Sequence, residues 1–166
     1  MEPGSSGAVV SVRAAGPTDA AYVLERLTVA WGSVHVARRG ELLDASALPA
    51  LVAELDGARV GLLVLAVRAE DCEVVSLTTD VRRRGVGRAL IQRCVEVARA
   101  AGCRRLTLTT TDNNTAASAF YHRLGLARSA VRPDGVAASR RVKPSIPMHD
   151  EHGVAIAGEV DFELPL

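Results

Sequence analysis

Asp71-Cys72-Glu73-Val74-Val75-Ser76-Leu77-Thr78-Thr79 runs through Asp80-Val81-Arg82-Arg83-Arg84-Gly85-Val86-Gly87-Arg88 into Ala89-Leu90-Ile91-Gln92-Arg93-Cys94-Val95-Glu96-Val97-Ala98-Arg99-Ala100-Ala101. The first part is β-branched and apolar enough for a strand, and strict alternation would put Val75 and Leu77 on one face. The last part spaces Val86, Leu90, Ile91, Cys94, Ala98 and Ala101 as one apolar helical stripe. Between them the stretch Arg82 to Gly87, with three arginines and two glycines, makes a turn that opens directly into the helix. Unpaired N–H groups and the helix dipole make such a start attractive to anions. Glycines at 85 and 87 would let that backbone approach a phosphate closely. A solvated basic turn is the plainer alternative, but here the turn and the helix start coincide.

The kind of phosphate site follows by elimination. A dinucleotide-binding turn needs a third glycine where Leu90 stands, and a P-loop needs Gly-Lys-Ser/Thr. Neither pattern is present.

Working outward, the residues on either side fit an α/β chain. Residues 8–14 alternate like a first strand, and Gly16-Pro17-Thr18-Asp19 reads as a helix start. Tyr22, Val23, Leu27 and Ala30 give that helix its apolar face. Val34-His35-Val36 suits a short strand, and Glu41-Leu42-Leu43-Asp44 a turn or short helix. Asp56-Gly57 between two apolar runs predicts a hairpin leading to the central strand, so three antiparallel strands arrive in sequence. After the helix, Gly102 is the stop, and residues 105–110 form a strand parallel to the central one, closing a βαβ unit. Asp112-Asn113-Asn114 caps a short helix carrying Ala116, Ala117, Phe120, Tyr121 and Leu124, which Gly125 closes. Residues 126–131 and 160–164 read as further strands. The stretch 133–156 is mixed, with Arg140, Arg141 and Lys143 forming a basic run and prolines at 144 and 147.

Composition bounds the function. The chain has 166 residues, 48% hydrophobic and 23% charged, with net charge +1. That suits one globular domain over residues 8–166 behind a flexible leader at 1–7, with no broad basic surface for nucleic acid. No stretch reaches transmembrane length and no signal peptide is evident, so a cytoplasmic protein is expected. Cys72, Cys94 and Cys103 are odd in number and fall within predicted elements, as buried thiols of a reducing compartment would. His149-Asp150-Glu151-His152 contains metal-ligand types, but it sits in a proline-flanked loop without a second group of ligands. A solvated loop is expected there, and no metal.

Arg82-x-x-Gly85-x-Gly87 resembles the Q/R-x-x-G-x-G/A signature of the GNAT family of N-acetyltransferases. Asn114-x-x-Ala117-x-x-Phe120-Tyr121-x-x-Leu124-Gly125-Leu126 is similar to a second segment of that family, at the family's distance after the first. The resemblance covers residues 8–131 and, more loosely, 160–164. The family often has proline where Val81 stands and valine where Thr79 stands, and 133–156 matches nothing in it.

The resemblance implies a mixed, mostly antiparallel sheet, splayed at the cofactor site and flanked by helices. It implies acetyl-CoA as co-substrate, with the pyrophosphate at Arg82, Arg83, Arg84, Gly85, Val86, Gly87 and Arg88. The pantetheine arm would lie along Leu77, Thr78 and Thr79, with Asn114, Ala117 and Tyr121 nearby. Arg83 or Arg88 would be available for the 3′-phosphate. Tyr121 would be the acid that protonates the leaving thiolate, the alternative being a core tyrosine beside Phe120. Glu73 would be the base, directly or through water, the alternative being a solvated strand residue. The function implied is acetyl transfer to a primary amine, with a small-molecule acceptor favoured by a lid at 133–156. A non-catalytic acyl-CoA-binding module and a protein or tRNA acetyltransferase are the competing readings, balanced charge counting against tRNA. A homodimer is left open. A cationic amine would gain from nearby carboxylates, expected from Asp150 or Glu151, or else from Glu41 or Asp44.

Overall fold

The computed structural model describes residues 7–166, and most of the expected flexible leader lies outside them. The strands are β1 (Val10–Ala14), β2 (His35–Arg38), β3 (Glu41–Asp44), β4 (Ala50–Leu55), β5 (Ala58–Arg68), β6 (Asp71–Thr79), β7 (Arg105–Thr111), β8 (Ala127–Arg132) and β9 (Glu159–Pro165). The helices are α1 (Ala20–Trp31), α2 (Val86–Ala100), α3 (Thr115–Arg123) and α4 (Gly135–Val142). Seven strands form one sheet in the order β1-β4-β5-β6-β7-β9-β8, and β2 and β3 make a separate ribbon. Every pairing is antiparallel except β6 with β7, as the βαβ reading requires. The fold is the mixed, mostly antiparallel sheet flanked by helices that the sequence implied.

β5 is the keel because its alternation serves two cores. Leu63 and Leu65 pack with Leu90, Ile91 and Cys94 of α2, while Leu62, Val64 and Ala66 pack with Leu27 of α1. Gly61 lets α2 down onto the sheet: a Cβ there would stand 2.6 Å from Val86 Cγ1 and 3.0 Å from Leu90 Cδ1. The three cysteines are free and buried.

Two local expectations are corrected. Val75 and Leu77 do not share a face, because a bulge breaks the β5–β6 register: Val64 pairs with Ser76 but Leu65 pairs with Val74. The extra residue, Val75, joins the α1 core while Leu77 packs toward α2. Residues 41–44 are a strand, since a tight turn at Arg39 and Gly40, both at positive φ, returns the chain against β2. Within the mixed stretch 133–156, helix α4 packs on β2 and β3. Among the described residues no helix is long and apolar enough to cross a membrane.

Candidate active site

The parallel pair that the sequence predicted is short. β6 and β7 are registered only from Asp71↔Arg105 to Val74↔Leu108, although β6 runs on to Thr79 and β7 to Thr111. Beyond Val74 the strands part, the bulge at Val75 adding to the twist. The edge of β6 facing β7 is left there with no strand partner among the described residues. A cavity of about 340 Å³ fills the opening.

Six residues singled out from sequence share its wall: Glu73, Leu77, Thr78, Asn114, Ala117 and Tyr121. Thr79 and the Arg82–Arg88 turn do not. The turn continues β6 beyond the cavity and is anchored at Asp80. That carboxylate accepts from Tyr22 Oη at 2.8 Å and Arg26 Nη1 at 2.6 Å, both on α1. Arg83 and Gly85 take positive φ within the turn, and Ala89 N–H closes on the Gly85 carbonyl at 3.0 Å to begin α2. Arg82, Arg83, Arg84 and Arg88 are exposed or half-exposed, with no acidic partner among the described residues.

Within the protein itself the two glycines answer different requirements. A Cβ at Gly85 would meet nothing, so its requirement is the left-handed φ of +73°. A Cβ at Gly87 would stand 3.0 Å from Phe120 Cζ, so that glycine admits α3 against α2. Val86 is a core side chain, leaving only its backbone to face a ligand.

Asn114 both caps α3, its Oδ1 accepting from Ala117 N–H at 3.1 Å, and lines the cavity. Tyr121, about two turns further along α3, is nearly buried between Phe120 and Phe162, with ring centroids 5.3 and 5.9 Å away. Burial disfavours the phenolate and pushes the Tyr121 pKa up to about 12. The hydroxyl therefore stays a proton donor across the neutral range. A packed ring and a donor at the cavity wall are one and the same residue here.

Glu73 is neither solvated nor free. Arg38 Nε and Nη2 donate to its two oxygens at 2.7 Å each, and Arg39 Nη2 adds a third bond at 3.0 Å. Arg39 also reaches across to β9: its backbone N–H donates to both oxygens of Glu159 at 3.1 Å. Glu159 is buried and receives Ser139 Oγ–H at 3.0 Å from α4. The cavity's carboxylates are thus Glu73 and Glu159. Of the four acidic residues expected there, none lines it. Glu41 binds Arg38, Asp44 caps Ser46, and Asp150 ties its own loop to Asn113. Glu151 is exposed beside His152.

Sequence reasoning missed Trp31, Arg38, Ser76 and Glu159 on this wall. The lone tryptophan after an apolar helix, just before Gly32, was a usable signal for the first. For the others no local pattern exists, because their partners lie far away in the chain.

The comparisons agree with this geometry. The protein YdhI of Bacillus subtilis (strain 168) is 35% identical over 133 residues, which cover 80% of this chain and 83% of YdhI. The structure of yncA from Salmonella typhimurium, which carries its cofactor acetyl-CoA, superposes with a TM-score of 0.70 at 19% identity, covering 95% of this chain and 94% of that one. The IAA acetyltransferase from Bacillus cereus ATCC 14579 gives 0.67 at 18%, covering 95% of this chain and 100% of that one. Residues 21–126, which span α1 through α3 and so include the splay, the Arg/Gly turn and Tyr121, match the family model described as Acetyltransferase (GNAT) family. The chain belongs to the GNAT acetyltransferase family.

Proposed function

We propose that this protein is an acetyl-CoA-dependent N-acetyltransferase that acetylates the primary amine of a small molecule by direct attack. The observation that carries the reading is the parting of β6 from β7 beyond Val74, which leaves an unpaired strand edge beside the Tyr121 ring. An arm containing amides can pair with that edge as an added strand would. Thr78 Oγ1, buried there without a partner, offers a further polar contact.

Leu77 and Thr78 hold the arm, with Asn114 and Ala117 opposite. The backbone of the turn from Arg82 to Arg88 receives the pyrophosphate at the start of α2, the guanidiniums adding charge. Val86 and Gly87 contribute their main chain there. Acetyl-CoA supplies an acyl group activated by a good leaving thiol.

The acceptor first sheds one proton to water, giving a neutral amine. Its nitrogen bonds to the acetyl carbon as the carbon–sulfur bond breaks. Tyr121 gives its hydroxyl proton to the departing sulfur and is restored by the second proton of the amine. Glu73, whose oxygens already carry three N–H bonds, serves this step as the carboxylate beside a water rather than by touching the amine. The cavity's size favours a small acceptor. Acetyl-CoA supply and three unpaired thiols suit the cytoplasm.

The test is release of free CoA thiol from acetyl-CoA across a panel of primary amines, with acetyl-amine product identified by mass. No turnover with any amine, despite tight CoA binding, would leave only an acyl-CoA-binding module.

A further inference from the structure

The end of α1 and strand β2 also line the cavity, with Trp31 on the wall beside Val36, Ala37 and Arg38. This chain has five aromatic residues, one of them a tryptophan. Tyr22, Phe120, Tyr121 and Phe162 are buried or half-buried, whereas Trp31 is 37% exposed. An indole left open to solvent in so aromatic-poor a chain needs a reason.

Trp31 is held both through its ring and through its backbone carbonyl. Trp31 Nε1–H donates to the buried Ser76 Oγ at 2.9 Å, and Ser76 lies on β6 just past the bulge. The carbonyl of Trp31 is one of the orphan acceptors at the end of α1. Lys143 Nζ, from the far end of α4, donates to it at 2.6 Å and to the His35 carbonyl at 2.6 Å. Lys143 is buried, and no carboxylate pairs with it among the described residues. Sinking an ammonium onto two carbonyls is costly, so the corner it fixes must be worth fixing. It also sits where a cation suits the helix dipole.

The charged groups on the same wall are paired, Glu73 with both Arg38 and Arg39. Arg38 is committed to Glu73 and Glu41. Glu159 receives its shortest bonds from uncharged donors, with Arg132 Nε farther off at 3.4 Å.

We infer that Trp31 is the acceptor-specificity residue and Lys143 its positioning residue, the acceptor being a cationic primary amine whose stem packs on the indole face. This rests on the transferase reading above. Indole faces attract cations and alkyl stems alike, and their negative π face disfavours an anionic competitor.

The experiment uses three acceptor probes: phenethylamine, spermidine and the anionic 4-aminobenzoate. Turnover is read by free thiol, CoA affinity by calorimetry, and indole environment by emission, since Trp31 is the one tryptophan. Trp31→Ala should raise the KM of the better cationic probe roughly tenfold, about 1.4 kcal/mol. Its kcat should stay within about threefold and its CoA affinity should not move. Trp31→Leu keeps bulk but loses the π face, should raise KM in the same sense, and carries the test if the alanine variant fails to fold, while Trp31→Phe should restore most of the affinity. Lys143→Met, with the indole intact, should shift the emission to the red and raise acceptor KM in the same sense, with Lys143→Arg restoring part of both. Unchanged KM in the Trp31 variants, preference for 4-aminobenzoate, or a loss of CoA affinity instead would overturn the assignment. So would unmoved emission and KM in Lys143→Met. If no amine at all is acetylated while CoA still binds, both the assignment and the transferase reading fail; if other amines turn over but neither cation does, or only KM is indifferent, the transferase reading stands alone.

Discussion

Arg38 meets Glu73 edge-on, Nε to Oε2 and Nη2 to Oε1 at 2.7 Å each, and both side chains are at least nine-tenths buried. Removing one partner of such a pair strands the other charge in a dry site. Arg38→Ala should therefore lower stability by about 3–5 kcal/mol, measured by urea unfolding. Glu73→Gln keeps the shape and should cost less, while lowering turnover through loss of the carboxylate. A stable Arg38→Ala protein would mean that the pair is dispensable.

Tyr121→Phe removes the donor and keeps the ring between Phe120 and Phe162. We expect kcat to fall by roughly 10²-fold or more with CoA affinity unchanged. Because burial raises the Tyr121 pKa to about 12, ionisation of this phenol should not limit the rate near pH 10. Turnover in Tyr121→Phe within a few-fold of the parent would reduce Tyr121 to packing.

The two glycines of the turn should respond differently. Gly85→Ala forces a Cβ into the left-handed region and should cost about 1–2 kcal/mol with the site otherwise intact. Gly87→Val must displace Phe120, so it should lower thermal stability by about 1–3 kcal/mol and disturb Tyr121 as well. Paired melting and CoA-binding measurements separate these. Equal behaviour of the two variants would contradict the packing role of Gly87.

Asp19, fully buried beneath β1 and β5, receives Arg13 Nη1 and Nη2, Arg59 Nε and Gly16 N–H at 2.7–2.9 Å. These donors hold its carboxyl well below the usual range. The folded form thus binds the proton less tightly than the unfolded chain. The stabilisation is complete above the unfolded value near about 3.9 and is lost as pH falls below it. Unfolding free energy should drop by about 2 kcal/mol on acidification from pH 5 toward pH 2, and Asp19→Asn should flatten that slope while being less stable at pH 7.

Much of the fold is local, and local order is written in spacing. The Asp56-Gly57 hairpin, the stripe of α2, the Asn114 cap and the strand–turn–helix around Gly85 each depend on neighbours within a few residues, so periodicity and turn chemistry suffice to find them. Tyr121 was legible because it sits in a motif on one short helix. The bulge at Val75 was not, since a strand's alternation is reset by its partner's register and not by its own residues. Nor was the setting of Glu73: the side chain that looked free is bonded by arginines 34 and 35 positions away. Lys143 meets Trp31 across 112 residues, and Arg39 meets Glu159 across 120. Which buried charge finds which partner is decided by how the ribbon and α4 fold over the sheet, because desolvated charges must be satisfied by whatever the tertiary packing brings within reach.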